Sequence, residues 1–237
     1  MVNGQVVCID VDQCPQDANG IGPWLWSGPS PAAADACLIL AHGAGAPIDS
    51  EFMTGMAERL AVRGVAVVRF EFPYMAARRR GAGRRPPDPQ DRLLDCWRET
   101  YSLLRQRIST LLAIGGKSMG GRMASLLADE LGADALVCLG YPFHPAGKTD
   151  KPRTAHLAGI RTPALIVQGE RDAMGKRDTV MGYSLSAAIC LHWLASADHD
   201  LKPLRASGFT HEHHLDMAAD AVAKFLQSSA RRGLISF

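Results

Sequence analysis

The sequence predicts an α/β architecture: a mostly parallel central sheet with helices on both faces, in one domain over residues 1–237, without a cap domain. Three observations carry this. Short apolar runs alternate with longer amphipathic ones along the chain, as strands alternate with covering helices in a parallel sheet. The 237 residues contain no internal repeat and no long linker, and that length suits one large core burying roughly three quarters of the unfolded chain's surface. A serine framed by glycines, Gly116-Lys117-Ser118-Met119-Gly120, stands between an apolar run and an amphipathic one.

The elements follow in order. Residues 36–42 (ACLILAH) read as a buried strand. A helix over about 50–63 carries Phe52, Met56 and Leu60 on one face, and Gly64 is placed to end it. Residues 65–72 (VAVVRFEF) form the next strand, followed by an Arg- and Pro-rich loop and a helix over about 88–108. Residues 111–115 (LLAIG) give a third strand, and the helix after it, 118–131, stops before Gly132. Residues 135–140 (ALVCLG) and 163–169 (PALIVQG) add two strands, and 188–194 (AICLHWL) the last. A closing helix over about 210–231 repeats Leu215, Ala218, Val222 and Phe225 on its apolar face. Residues 5–11 and 24–27 are expected as antiparallel strands at one edge.

Hydrophobic residues make up 47% and charged residues 21% of the chain, ordinary globular usage that excludes disordered and fibrous classes. A net charge of +2 gives no general attraction to nucleic acid or to anionic membranes. The amino terminus lacks a basic start followed by an apolar core, and no apolar run reaches the length needed to span a bilayer. A soluble cytoplasmic protein is expected. Six cysteines are scattered without a CxxC pair, and Cys37, Cys138 and Cys190 fall inside predicted strands, as reduced core residues do. A Cys8–Cys14 disulfide and a thiol metal site are both disfavoured.

The pentapeptide Gly116–Gly120 matches Gly-x-Ser-x-Gly in a strand, turn, helix context. A serine on so sharp a turn has strained backbone angles, and side chains two residues to either side would collide, which explains the glycines. The helix that follows aims N–H groups and a positive dipole end at any oxyanion formed there. The same residues could form an ordinary tight turn. Gly116-Lys117-Ser118 also spells the end of a phosphate-binding loop, but that loop needs a glycine where Leu111 stands.

A hydroxyl needs a base to become nucleophilic, and in this turn context an acid and then a histidine are expected downstream. The strand of residues 163–169 runs into Asp172, at the carboxyl end where sites in open α/β sheets lie. His199 comes shortly after the last strand. Glu170 and Asp178 are alternative acids, and seven other histidines compete with His199. His192 lies within a strand and reads as a core or edge residue, while His211, His213 and His214 read as a polar helix start. That HEHH cluster lacks the i, i+4 histidine pair with glutamate of a zinc protease.

His42-Gly43-Ala44-Gly45, after the first long strand, supplies small residues where a second oxyanion donor is expected. Ala44 and Met119 are the predicted donors, with His42 holding the loop. Phe72 and Tyr74, at a strand end, are expected to wall the acyl pocket. Five arginines, Arg78, Arg79, Arg80, Arg84 and Arg85, then fall within eight residues; they read as a solvated loop or as a recruiter of an anionic substrate.

HGAGA, FEFPYM followed by RR and PP, GGKSMGGRMAS, QGERD and DHDLKP together resemble the α/β-hydrolase branch that includes testis-expressed protein 30 and bacterial hydrolase relatives. The resemblance spans about residues 38–225. The branch is also similar to a scaffold subunit of the non-specific lethal histone acetyltransferase complex, and more distantly to dienelactone hydrolases, which use a cysteine where Ser118 stands. It implies the α/β-hydrolase fold.

These readings converge on a serine hydrolase acting on a small-molecule carboxylic ester or thioester through Ser118, His199 and Asp172, with no cofactor or metal required. The alternative is a non-catalytic interaction module on the same fold. The segment of about residues 141–160 is too short for a cap domain, so an open site and soluble substrates are expected.

Overall fold

The structure, a computed structural model, describes residues 24–233. The strand expected at residues 5–11, and Cys8 and Cys14, lie outside the described residues. The chain runs through β1 (Leu25–Ser27), β2 (Ala36–Ala41), α1 (Glu51–Ala61), β3 (Val65–Phe70), α2 (Pro73–Arg79) and α3 (Gln90–Arg105). It continues with β4 (Leu111–Lys117), α4 (Met119–Leu127), β5 (Ala135–Leu139), β6 (Ala164–Gly169), α5 (Arg177–Val180), β7 (Ile189–Leu194) and α6 (His211–Gly233). Among the described residues seven strands form one sheet in the order β1-β3-β2-β4-β5-β6-β7. Only β1 is antiparallel, pairing Leu25–Ser27 with β3, and all other neighbours are parallel.

The period of two in a strand sends alternate side chains to opposite faces, and both faces are covered. In β2, Cys37, Ile39 and Ala41 enter one core with Trp97 and Leu104 of α3 and Met123 and Leu127 of α4. Ala36, Leu38 and Leu40 enter the other with Met56 and Leu60 of α1 and Ala218 and Val222 of α6. Burial of each large side chain here contributes roughly 1.5–3 kcal/mol. Exposed ion pairs between α1 and α6, such as Arg63–Asp220 at 2.7 Å, contribute at most about 1 kcal/mol each. Apolar burial therefore sets the layers.

The architecture is that of the α/β-hydrolase fold. Parallel pairing aligns the carboxyl ends of the central strands: Ala41 lies beside Gly116, and Gly116 beside Cys138. The β5–β6 connection carries one 3-10 turn, Ala155–Ala158, and no cap. Among the described residues no helix is long and apolar enough to cross a membrane.

Three local features differ from the sequence expectation. Residues 73–79 form α2 instead of loop, because Pro73 at the first helical position has its φ preset and lacks an N–H that would go unbonded. The short α5 after β6 is additional. Cys190 is exposed, because β7 is the sheet's edge and its burial is incomplete, whereas Cys37 and Cys138 are buried.

Candidate active site

Strand β4 runs to Lys117 and helix α4 begins at Met119, so Ser118 alone makes the turn. Its φ of 51° and ψ of −114° are angles that an L-residue holds at a cost of about 1–3 kcal/mol. The packing around it leaves room only for glycine at both framing positions. A Cβ on Gly116 would sit 2.6 Å from the Ala41 carbonyl oxygen, and one on Gly120 2.6 Å from the carbonyl oxygens of Ala41 and His42. The Ser118 N–H donates to the Leu139 carbonyl at 3.0 Å, tying the turn to β5. As the first residue of α4, Met119 has an N–H with no intrahelical acceptor.

The loops after β6 and β7 bring two more predicted residues to this serine. His199 Nε2 lies 2.8 Å from Ser118 Oγ, and His199 Nδ1 lies 2.7 Å from Asp172 Oδ2. An ionised carboxylate only accepts, so this contact puts the imidazole proton on Nδ1 and leaves Nε2 to receive the serine hydroxyl. Asp172 is fully buried. Its Oδ1 accepts the Met174 N–H at 2.8 Å, and its Oδ2 also accepts from Gln168 Nε2 at 2.8 Å. The alternative acids are elsewhere: Glu170 pairs with Arg177 at 2.7 Å and caps the Ser196 N–H, and Asp178 is exposed on α5.

Residues that the sequence reading left without a role hold this arrangement. Gln168, at the end of β6, accepts the Tyr141 N–H at 2.7 Å through Oε1 while its amide nitrogen serves Asp172. Lys117 is buried, and its ammonium donates to the His199 carbonyl at 2.6 Å and pairs with Asp200 at 3.1 Å. Burial lowers the Lys117 pKa, against the opposing pull of Asp200. Gly140, at φ +65°, lets the His199 loop lie against β5, since a Cβ there would come 2.8 Å from the His199 carbonyl oxygen. The HEHH helix start grips the same loop: His211 Nε2 lies 3.0 Å from the Asp200 carbonyl and His214 Nδ1 3.2 Å from that of Leu201.

The loop after β2 passes beside the serine, since a Cβ on Gly43 would lie 3.8 Å from Ser118 Cβ. His42 is fully buried: its Nε2 accepts the Phe72 N–H at 3.1 Å and its Nδ1 lies 2.7 Å from the Gly43 carbonyl. Burial lowers its pKa. Ala44, next in the loop, is exposed.

Phe72 and Tyr74, expected to wall the acyl pocket, are both buried. Phe72 is fully buried, edge-on to His42 with ring centres 5.1 Å apart. Tyr74 is buried too, and its hydroxyl donates to the Ala44 carbonyl at 3.0 Å. Both rings close the interior beneath the 42–45 loop; neither faces open space, because α2 turns them inward.

A second serine–histidine contact, Ser125 Oγ to His156 Nε2 at 2.9 Å, shows what the Ser118 site adds. The Ser125 hydroxyl donates to the Arg122 carbonyl at 2.7 Å, and among the described residues no carboxylate bonds to His156. Burial, with the charge of Arg122, pulls the His156 pKa down to about 4.

Known structures share the architecture. A lidless α/β serine hydrolase from Xanthomonas campestris superposes with a TM-score of 0.62 at 19% identity, over 98% of this chain and 96% of that one. Est1E from Butyrivibrio proteoclasticus gives 0.64 at 15%, over 90% and 96%. A dienelactone hydrolase from Anabaena variabilis gives 0.65 at 18%, over 94% and 96%. At these identities the likeness is one of fold. Residues 34–227 match the family described as alpha/beta hydrolase domain, and the chain belongs to that family.

Proposed function

We propose that the protein is a serine hydrolase that cleaves a carboxylic ester or thioester through a covalent acyl-enzyme, with Ser118 as nucleophile, His199 as base and Asp172 as its orienting acid. The observation that carries this reading is the continuous relay of 2.8 Å from Ser118 Oγ to His199 and 2.7 Å from His199 to Asp172.

In the first half-reaction Ser118 Oγ bonds to the carbonyl carbon as its proton passes to His199 Nε2. The N–H groups of Ala44 and Met119 receive the oxyanion. The carbonyl reforms, the bond to the alcohol or thiol breaks, and His199 protonates the leaving group. In the second, water gives a proton to His199, attacks the acyl carbon and displaces Ser118, which regains its proton. Asp172 stabilises the imidazolium formed in each half. Within the family, the motifs quoted above favour the branch resembling testis-expressed protein 30.

The test is p-nitrophenyl acetate turnover. Ser118→Ala and His199→Ala should each lose about three to six orders of magnitude in kcat. Turnover unchanged in Ser118→Ala would overturn the reading, and a wild type without turnover would leave the fold as an interaction module.

A further inference from the structure

The end of α2 and the arginine-rich stretch after it wall a cleft whose arginines have no part in the proposed chemistry. The cleft has a volume of about 800 Å³, and its lining includes Ala44 and Gly45 on one side and Arg78, Arg84 and Arg85 on the other. That volume suits a small molecule. Among the described residues no carboxylate lines it, and none of these three guanidiniums has an acidic partner. Arg79, one residue along the chain, shows the contrast: it is spent on structure, pairing with Asp49 and with the buried Glu71, both at 2.8 Å. Among the described residues the cleft's three guanidiniums form no ion pair.

The wall is also held in place. Arg78 lies over the Tyr74 ring at 5.2 Å and donates to the Arg85 carbonyl, which ties the far end of the stretch back to α2. Tyr74 in turn donates to the Ala44 carbonyl at 3.0 Å. One chain of contacts therefore joins the arginine wall to the loop beside Ser118. Gly43 flanks the serine, and Ala44 and Gly45 lie one and two residues on, at roughly 3.8 Å per residue.

Resting on the hydrolase reading above, we infer that this cleft is a substrate subsite for an anionic group, a carboxylate or phosphate, carried several atoms from the scissile carbonyl. Arg84 and Arg85 contact it, and Arg78 positions them. Planar guanidiniums pair with such oxyanions in a bidentate manner that lysine cannot reproduce.

The test compares p-nitrophenyl adipate with its methyl-capped ester, and 4-carboxyphenyl butyrate with phenyl butyrate, placing the anion on the acyl or the leaving side. The wild type should favour the charged member of at least one pair in kcat/KM, with the preference shrinking between 50 and 500 mM salt, within roughly the range where Debye screening sets in. In R84Q/R85Q the ratio of charged to neutral kcat/KM should fall at least tenfold, and R84K/R85K should recover only part of it. Arg80→Gln, on the same stretch but outside the cleft, should keep the wild-type ratio. Equal ratios in wild type and R84Q/R85Q for both pairs would overturn the subsite. Labelling of Ser118 by a neutral fluorophosphonate separates the two failures: labelled protein without charge preference removes only the subsite, whereas unlabelled protein removes the hydrolase reading beneath it.

Discussion

The Lys117 ammonium donates to the His199 carbonyl at 2.6 Å, so the residue before the serine holds in place the residue that hydrogen-bonds the serine. The same ammonium pairs with Asp200, and the three residues form a clasp between the ends of β4 and the loop after β7. Lys117 is thus a positioning residue. It does not touch the Ser118 hydroxyl.

Lys117→Met should lower kcat about tenfold or more while KM stays within about twofold, because the His199 loop loses its anchor while the binding surfaces remain. Lys117→Arg, which keeps a donor and a charge, should recover part of the loss. Steady-state kinetics on one neutral ester measures both. A KM change with kcat intact would contradict the positioning role.

Gln168→Leu should be costly twice over. It leaves the buried Tyr141 N–H unpaired and removes one donor from Asp172, so about 1–3 kcal/mol of stability should be lost. Urea unfolding reads that loss, and activity should drop with it because Asp172 is less firmly held. Gln168→Glu can still accept from Tyr141 but sets a second carboxyl beside Asp172, and should be worse for activity than for folding.

Stability should fall in mild acid. Burial, reinforced by Arg122, takes the His156 pKa from 6.5 to about 4. Between those values the unfolded chain binds a proton that the folded chain refuses, so stability is full above pH 6.5 and is lost progressively as the pH drops toward 4. Allowing for its partial contact with solvent, His156 accounts for about 1 kcal/mol of that loss at pH 5. His42, His192 and His214 are shifted the same way, chiefly by burial. Urea midpoints at pH 7.5 and 5 should therefore differ, and His156→Gln should narrow the gap without closing it. An unchanged gap would assign the slope to the other three.

Much of the site could be read in advance because its signals are local. Glycines frame Ser118 since Gly116 and Gly120 lie against backbone, and Asp172 follows β6 at the carboxyl end of the strands, where the site loops gather. What could not be read depends on partners far along the chain. Lys117 meets a carbonyl 82 residues away, and nothing in its own neighbourhood announces that. Gln168 did leave a trace: an amide in an otherwise apolar strand must find partners once buried. Phe72 and Tyr74 could face either a pocket or a core, and the turn into α2, set by Pro73, decided for the core. The HEHH run reads as a polar helix start, and in the fold it opens α6, where His211 and His214 meet the carbonyls of Asp200 and Leu201.

The most direct measurement is covalent labelling of the folded protein with a fluorophosphonate, followed by peptide mass mapping. The account predicts one adduct on Ser118, absent in Ser118→Ala and formed far more slowly in His199→Ala, with Ser125 unmodified although it too has a histidine neighbour. No adduct on Ser118, or equal labelling rates in wild type and His199→Ala, would contradict it.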